Sequence, residues 1–452
     1  MSKTRYERSE AMGREPVSKL LFRFSVPAII AMEAAAGYEL FDAVWCGRLC
    51  AEALAALTVA GPVMAIYRAV GSGIGVGGAS LISRCLGAGR KDEADIAACN
   101  SISLFFIVSC LMSIVCLMCL EVLLRLFGAS DQVLPYAYSY MFIETCSMPV
   151  DFFLVVAAEL VRAQGSPATA SAGLIVASVA DLIWSPILVF GAGPFPALGI
   201  AGAALGTLIG RAVGVAILVV YLSLRSIYQF KPGYFLPRYK VIANIYSVGA
   251  SNTLRSSAVS ISQILACRAA ASFGTIPLAV LGVLFRVNMI VFGFCIGVSQ
   301  GALPLIGYNF GSQKFERIRK IVVTAGLVSF VWGALWCTVA TLFPTQILSF
   351  FSSDPDFLNG GAQALRIFAL TCLTVPEIIL SSFFQGIGKA IPSLVVSSSR
   401  QLIFLVPCLL IMPSIFGSTG LWAAYPVAGA MSVVLSLTWT VITLQRFEMP
   451  FR

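Results

Sequence analysis

The chain has 452 residues, of which 58% are hydrophobic and only 11% are charged, and its mean hydropathy is +0.91. A soluble domain carries about a quarter charged residues, so the composition excludes that class. The formal net charge of +9 could suggest a nucleic-acid partner, but the basic residues are confined to the N-terminal tail and a few short connections, which argues against one. The chain is therefore predicted to be an all-α polytopic membrane protein.

Apolar stretches of about 20 residues, the length that crosses a bilayer as a helix, recur along the whole chain. The first six are predicted near residues 20–46, 54–83, 95–120, 134–159, 168–190 and 198–224. The next six are predicted near residues 241–268, 277–306, 320–343, 361–386, 392–413 and 420–445. The longest polar connection, residues 225–240, separates a predicted N-lobe (20–224) from a predicted C-lobe (241–445), with tails at residues 1–19 and 446–452.

Connections rich in lysine and arginine alternate along the chain with connections that are poor in both. They are frequent in the N-terminal tail and in residues 84–91, 225–240 and 314–320, whereas residues 191–199 and 413–420 contain none. Basic connections of membrane proteins remain in the cytoplasm. Both termini and the basic connections are therefore expected to be cytoplasmic.

The two halves of the chain resemble each other at nearly one shift in numbering. Three weak matches occur in order: residues 75–91 with 297–313, 162–165 with 385–388, and 199–201 with 420–422. A repeat with an even number of spans gives both copies the same orientation, related by an axis along the membrane normal. We expect two pseudo-symmetric six-helix lobes around a central cavity that opens to alternate sides.

One glycine run in the second predicted span satisfies a nucleotide-binding pattern. Residues 73–78 match G-x-G-x-x-G, but the dinucleotide motif requires a preceding strand and a soluble βαβ unit. In an apolar helix, the pairs Gly71/Gly75 and Gly73/Gly77 favour close helix contact instead. No phosphate-binding loop of the type G-x-x-x-x-G-K-[ST] occurs, so the chain is not expected to be an enzyme or to hydrolyse ATP.

Metal and cofactor sites are not expected either. The chain has no histidine, and its 13 cysteines lie mostly in apolar stretches, as small buried side chains do. The Cys116-x-x-Cys119 pair has no second pair at zinc spacing. We predict no structural metal and no cofactor.

Acidic residues interrupt the apolar stretches of the N-lobe far more often than those of the C-lobe. An ionised side chain in hydrocarbon costs several kcal/mol, so such residues face a protein interior or a wet cavity and indicate a function. They suggest a protein that binds cations or protons. The N-lobe residues are Glu33, Glu39, Asp42, Glu144, Asp151, Glu159 and Asp181, and the C-lobe counterpart is Glu377.

The first predicted span combines a proline with three of these acids. Pro27 removes a backbone hydrogen bond, and it is either a static kink or a conformational hinge. Glu39 lies three residues before Asp42, so both can share a helix face, and two close carboxylates do not readily ionise together. Asp42, Glu39 and Glu33 are candidates for proton or cation coupling, although Asp42 could instead be solvated or paired with Arg48.

Asp181 is the fourth coupling candidate, because no basic residue lies within a helical turn of it in the fifth span. Intramembrane arginines in both halves are either partners of the acids or, for Arg68, Arg255 and Arg286, possible attractants of an anionic substrate. The residues expected to line the cavity are Tyr38, Glu144, Asp151, Phe152, Arg286 and Glu377.

Several motifs in order resemble the MATE family of multidrug and toxic compound extrusion transporters, in its prokaryotic, DinF-like branch. The resemblance covers the whole chain. Besides Pro27 and Asp42, it rests on residues 162–165 and 199–204, and most specifically on residues 300–311, QGALPLIGYNFG. It implies a transporter of the prokaryotic plasma (inner) membrane. Because transporters built from two complete lobes usually need no partner, we expect the chain to function as a monomer.

The same resemblance implies a cation site in the N-lobe. In that branch the site is built on the aspartate after the first-span proline and on an N-x-x-x-D pair in the fifth span. Asp42 and Asp181 match the aspartates, whereas Ala177 replaces the asparagine, with Ser178 beside it. A sodium ion needs several oxygen ligands, so the replacement favours H⁺ over Na⁺ as the coupling ion.

The sequence thus predicts a cation-coupled antiporter that exports amphipathic, often cationic, small molecules across the lipid bilayer by alternating access. Aromatic residues such as Tyr38, Phe152 and Phe153 would suit flat cations. Two alternatives remain open: a flippase for lipid-linked precursors, which would use the arginines rather than the acids, and a membrane scaffold or sensor without transport.

Overall fold

The computed structural model describes residues 3–351 and 354–448. Every regular element within these residues is helical. The first half contains α1 (Lys3–Ala11), α2 (Val17–Leu49), α3 (Ala51–Gly87), α4 (Lys91–Met118), α5 (Leu120–Leu126), α6 (Leu134–Ala163), α7 (Pro167–Phe190) and α8 (Ile200–Arg225). The second half contains α9 (Tyr239–Ser272), α10 (Thr275–Gly311), α11 (Phe315–Leu342), α12 (Pro344–Ser349), α13 (Pro355–Ala369), α14 (Glu377–Gly386), α15 (Ala390–Ser398) and α16 (Val406–Glu448).

The predicted polytopic fold of twelve helices is confirmed. Ten helical stretches of the described chain are long and apolar enough to cross a membrane. The last of these, Ala390–Phe447, contains two spans, because Gly417 has φ 60° and ψ −145° and interrupts α16. The remaining span, the seventh in chain order, is α9, which is 34 residues long and richer in polar residues than the other spans.

Two spans of the C-lobe are less regular than the sequence predicts. The tenth span is a helix pair, α13 and α14, joined through a 3₁₀ segment at Leu370–Thr374. Pro376, directly before α14, has no N–H with which to continue the helix of α13. The eleventh span begins as α15 and passes through a π-helical segment, Ser399–Leu405, before α16.

The helices form two six-helix groups that meet along a few helix pairs. In the N-lobe, α7 packs on α8 and α2, and α6 packs on α3, α4 and α8. In the C-lobe, α10 packs on α11 and α14, while α15 packs on α9 and α14. The lobes contact each other mainly through α3 with α9, α2 with α10, and α3 with α10. These three pairs therefore border any cavity between the lobes.

The glycine run of α3 packs against two different helices. A Cβ on Gly71 would lie 3.0 Å from the ring of Phe152, and one on Gly75 would lie 3.0 Å from Cγ of Glu159, both on α6. Gly73 and Gly77, on the other side of α3, lie directly against the backbone of α9. The prediction that this run mediates helix packing is confirmed, since each small-xxx-small pair contacts its own neighbour.

The end of the bundle that carries the basic connections, here called the basic end, is closed by inter-lobe contacts. A Cβ on Gly87 of α3 would overlap the carbonyl oxygen of Tyr308 on α10. Reciprocally, a Cβ on Gly311 would overlap the carbonyl oxygen of Arg84. The ends of α3 and α10 therefore cross with backbone in contact with backbone, which only glycine allows.

The N-terminal segment reinforces this closure by contacting both lobes. The Arg8 guanidinium donates to the Tyr221 hydroxyl of α8 at 3.2 Å. On the C-lobe side, Lys314 Nζ donates to the Gly13 carbonyl at 2.8 Å, and Arg317 Nη2 donates to the Glu15 carbonyl at 2.6 Å. Residues 8–15 therefore contact both lobes at the basic end and do not extend freely as a tail.

Replacing Gly87 by alanine is expected to destabilise this closed arrangement of the basic end. The added methyl group must displace the Tyr308 backbone, and overpacking of this kind costs about 1–3 kcal/mol. Gly61→Ala, on the same helix but with nothing within 4 Å of the added Cβ, is the matched control. The effect will be measured by thermal unfolding of the purified proteins and by the reactivity of residues at the basic end toward a membrane-impermeant reagent. Identical behaviour of the two variants would contradict the packing argument.

Candidate functional site

A cavity of about 510 Å³ lies between the two lobes. Its N-lobe wall comes from α2, α3, α6, α7 and α8, and its C-lobe wall comes from α9, α10 and α14. Most lining side chains are apolar or small, as in a site for an amphipathic ligand. The charged lining residues are Glu39, Arg68, Asp151, Glu159, Asp181 and Arg211 from the N-lobe and Arg255 from the C-lobe.

Two of the six residues expected to line the cavity do so, namely Tyr38 and Asp151. Glu144 and Phe152 lie behind the wall, because Glu144 is held between α6 and α8 and the Phe152 ring packs on Gly71. Arg286 is exposed on α10 and is not among the lining residues. Glu377 is buried beside Arg400, one residue from the lining Ile378.

Asp42 and Asp181 come together where α2 packs on α7. Both are buried, with 7% and 2% of their surface exposed. The Ser185 hydroxyl donates to Asp181 Oδ1 at 2.8 Å and lies within reach of Asp42 as well. Thr207 of α8 lies within hydrogen-bond reach of Asp181. The structure thus brings two carboxylates and two hydroxyl groups into one buried cluster beside the cavity.

One oxygen of this cluster lacks a partner. Asp181 Oδ2 is buried and accepts no hydrogen bond from the described residues. A buried, unsatisfied carboxylate oxygen is costly, and a bound proton or cation would remove that cost. The orphan oxygen belongs to a residue on the cavity wall.

A second acidic cluster in the N-lobe is neutralised by an arginine. Arg211 of α8 donates from Nη1 to Glu144 Oε2 at 2.7 Å, and its Nε forms an ion pair with Asp151 Oδ1 at 3.2 Å. Glu144 and Arg211 are nearly completely buried. This triad carries one net negative charge when all three groups are ionised. It is a structural anchor for α6 and α8 as well as part of the cavity wall.

The other first-span acids lie on different sides of α2. Glu39 faces the cavity and forms an ion pair with Arg68 of α3. Glu33 points toward α10, where its Oε1 would lie 2.6 Å from a Cβ on Gly293. No basic residue of the described chain lies within ion-pair distance of Glu33, which therefore stays an unpaired acid at the lobe interface.

Pro27 lies in the same interface, within a helix that is continuous from Val17 to Leu49. Gly297 of α10 packs on the backbone of Ile29, and Gly301 packs on that of Ser25. The residues flanking Pro27 are therefore in backbone contact with the other lobe. A change in curvature at Pro27 would be transmitted directly to α10.

The C-lobe has an ion pair of its own behind the wall. Arg400 lies in the π-helical segment, and its Nη1 is 3.8 Å from Glu377 Oε2. Its guanidinium also stacks over the ring of Phe292, 4.5 Å from the centroid, a favourable cation–π arrangement. Phe292 in turn lines the cavity.

The sequence matches the MatE family over residues 27–187 and 253–410, once in each lobe. The chain belongs to the MATE family. The multidrug export protein MepA of Staphylococcus haemolyticus is 26% identical over 414 residues, 90% of each chain. A FAD transporter of Shewanella oneidensis is 25% identical over 423 residues, 92% of each chain.

Solved MATE structures share the fold. One, described as the outward-facing conformation of a multidrug resistance MATE family transporter, superposes with a TM-score of 0.91 at 24% identity. The superposition covers 97% of this chain and 98% of that one. The match of the family model to each half of the chain agrees with a structure built from two copies of one unit.

Ala177, the residue at the asparagine position implied by the MATE resemblance, packs tightly against α8. Its carbonyl oxygen would lie 2.5 Å from a Cβ on Gly210, and its own Cβ would lie 2.8 Å from one on Gly214. The neighbouring Ser178 lines the cavity but donates its hydroxyl hydrogen to the Leu174 carbonyl. Position 177 thus supplies helix packing where the resemblance implies an oxygen ligand.

Ser185 and Thr207 are site residues that sequence reasoning missed. Ser185 follows Asp181 by four residues, so the two share a helix face, and this spacing was the available signal. Thr207 comes from another helix, and its proximity depends on how α7 packs on α8. The pairing of Arg211 with two acids on α6 also depends on packing and has no local sequence signal.

Proposed function

We propose that this MATE transporter is a proton-coupled antiporter that exports amphipathic, often cationic, organic molecules. The observation that carries the proposal is the buried Asp42–Ser185–Asp181 cluster with an unsatisfied oxygen beside the inter-lobe cavity. We further propose that the chain works as a monomer in the bacterial plasma membrane, with both termini and the basic end in the cytoplasm.

Proton uptake by the cluster would bias the conformation. Two neighbouring carboxylates in a buried site hold one proton readily, because joint ionisation is penalised. Neutralising a buried carboxylate removes several kcal/mol of desolvation penalty, enough to shift a balance between two states a few kcal/mol apart. Since α2 carries both Asp42 and Pro27, protonation would act on the helix that contacts α10.

A proton fits the cluster better than a sodium ion. The cluster offers two carboxylates and the hydroxyl groups of Ser185 and Thr207, while position 177 contributes a methyl group. A hard cation requires several oxygen ligands at fixed distances. A shared proton requires only the two aspartates, so we assign H⁺ as the coupling ion.

The closed basic end supports alternating access as the transport mechanism. Contacts between Gly87 and Tyr308, between Gly311 and Arg84, and through residues 8–15 close one end of the inter-lobe cavity. Export would require a second state in which these contacts separate. The glycine contacts allow the helix ends to close without side chains interlocking.

The cavity favours an amphipathic cation over the head group of a lipid-linked precursor. Four carboxylates line it, and two of its three arginines, Arg68 and Arg211, are paired with carboxylates. A flippase for strongly anionic head groups would present more unpaired arginines. The names of the MepA relatives, multidrug export proteins, agree with this preference.

Transport by the purified protein in liposomes will test the proposal. Ethidium movement is followed while a proton gradient and a sodium gradient are imposed separately. We expect the proton gradient alone to drive ethidium movement and the sodium gradient alone to have no effect. Transport driven by sodium alone would refute proton coupling, and the absence of gradient-driven movement of any cationic dye would refute the antiporter.

A further inference from the structure

Arg255 of α9 differs from the other arginines of the cavity. It lines the C-lobe wall, and within residues 3–351 and 354–448 no carboxylate lies within 4 Å of its guanidinium. Arg68 and Arg211, the other lining arginines, are each paired with N-lobe carboxylates. A guanidinium at membrane depth without a counter-ion is costly and marks a functional position.

The nearest acid of the C-lobe is already paired. Glu377 is close enough to interact with Arg255 electrostatically, but its Oε2 faces the guanidinium of Arg400 at 3.8 Å. Two arginines therefore share one carboxylate, and the C-lobe side of the cavity keeps a net positive charge. That charge is presented to the cavity by Arg255, because Arg400 lies behind the wall.

Polar neighbours hold the Arg255 side chain in place. Its Nη2 donates to Asn252 Oδ1 at 3.0 Å, and Asn252 Nδ2 donates to the Ser72 hydroxyl of α3 at 2.9 Å. Asn252, Ser72 and Ser256 all line the cavity. The remaining N–H groups of the guanidinium form no hydrogen bond with the described residues, so they are available to an anionic group, which a guanidinium can bind through two parallel hydrogen bonds.

The two walls of the cavity therefore have opposite polarity. The N-lobe wall carries Glu39, Asp151, Glu159 and Asp181. Its acidic groups outnumber the arginines even though Glu159 is paired with the buried Arg162, while the C-lobe wall carries Arg255, which has no carboxylate partner among the described residues. A molecule with a cationic aromatic body and one anionic group would satisfy both walls at once. A purely cationic molecule would leave Arg255 without a counter-ion.

We infer that Arg255, held in place by Asn252, forms a subsite for the anionic group of zwitterionic amphipathic substrates. This inference rests on the proposed export function and specifies which substrates the cavity prefers. Arg255 acts by direct contact with the substrate, not by coupling to the driving ion. Its loss is therefore expected to change substrate preference and to leave the response to the ion gradient intact.

A matched pair of dyes tests the subsite. Tetramethylrhodamine is a zwitterion with a free carboxylate, and its methyl ester is a cation with the same ring system. Fluorescence anisotropy with the purified protein in phosphatidylcholine nanodiscs gives the affinity for each dye. Wild-type protein is expected to bind the free acid about tenfold more tightly than the ester, the difference of roughly 1.4 kcal/mol that one charged contact supplies.

Variants assign this preference to Arg255. Arg255→Gln is expected to lose the preference while binding the ester as before, and Arg255→Lys is expected to retain part of it. Arg286→Gln, which removes an exposed arginine of α10 outside the cavity wall, is the matched control and should behave as wild type. Equal loss of both dyes in Arg255→Gln, or a wild-type protein that prefers the ester or binds neither dye, would overturn the subsite.

Two further experiments distinguish the subsite from a lipid-binding site and from a failure of the proposed transport function. If the subsite binds a dissolved substrate, adding phosphatidylglycerol to the nanodiscs should leave binding of the free-acid dye unchanged. If phosphatidylglycerol competes with the free acid only in proteins that retain Arg255, the subsite would bind a lipid head group instead. Binding in nanodiscs needs no ion gradient. Dye preference without gradient-driven transport would therefore refute the antiporter alone, and transport without dye preference would refute the subsite alone.

Discussion

Asp42→Asn is expected to reduce proton-driven export of ethidium to the level of protein-free liposomes while leaving the protein folded. Asparagine has nearly the shape of a protonated aspartate but cannot release a proton, so the Asp42–Ser185–Asp181 cluster would be fixed in its neutral state. Because Asp42 is buried with an acid nearby, removing its charge should not lower thermal stability. Liposome transport and thermal unfolding of the same preparations measure both parts of the expectation.

Glu39→Gln is the matched control for this variant. Glu39 lies on the same helix, three residues earlier, but faces the cavity and pairs with Arg68. Its loss is expected to alter the affinity for cationic dyes and to leave proton-driven exchange measurable. Full-rate, proton-driven export by Asp42→Asn would show that the cluster does not couple transport to protons. Loss of proton-driven export in both Asp42→Asn and Glu39→Gln would assign coupling to the wider set of acidic residues.

Arg211→Met is expected to destabilise the protein by about 3–5 kcal/mol, the usual cost of removing one partner of a buried ion pair. Arg211 holds both Glu144 and Asp151 between α6 and α8. Without it, the two carboxylates would lie in a buried site with no counter-ion within ion-pair distance among the described residues. A lower midpoint of thermal or denaturant unfolding in detergent is the expected observation.

The double variant Arg211→Met with Glu144→Gln tests the cause of that loss. If the unpaired carboxylate is responsible, the double variant should regain part of the stability lost in the single one. Arg125→Gln removes a basic residue from an exposed cluster with Glu121 and Asp131, and it should leave the unfolding midpoint unchanged. No recovery in the double variant would mean that Arg211 stabilises the helices through packing rather than charge.

The sequence was sufficient to predict the number of spans and the packing role of the glycine run. Both depend on local patterns: the length of apolar stretches, and the spacing of Gly71, Gly73, Gly75 and Gly77 along one helix. The breaks within two C-lobe spans were less predictable. A proline such as Pro376 ends a helix only if no neighbouring group compensates its missing N–H.

The candidate site was predicted in part. Asp42 and Asp181 were recognisable as acids within apolar stretches, since burial of a charge is costly wherever the helix lies. Which acids meet, and which are neutralised by arginine, could not be predicted. Glu144 and Glu377 were expected on the cavity wall, but Arg211 and Arg400 hold them behind it.

By itself, the sequence determined that this is a twelve-helix membrane protein with its buried acid concentrated in one lobe. Hydrophobic length, charge position and repeat spacing are properties of the chain and need no tertiary information. Only the tertiary structure decided that Asp42, Ser185 and Asp181 lie together, that Arg68 and Arg211 are paired, and that Arg255 faces the cavity without a carboxylate partner among the described residues. Electrostatic energy depends on distances of a few ångströms between helices, and those distances are set by packing.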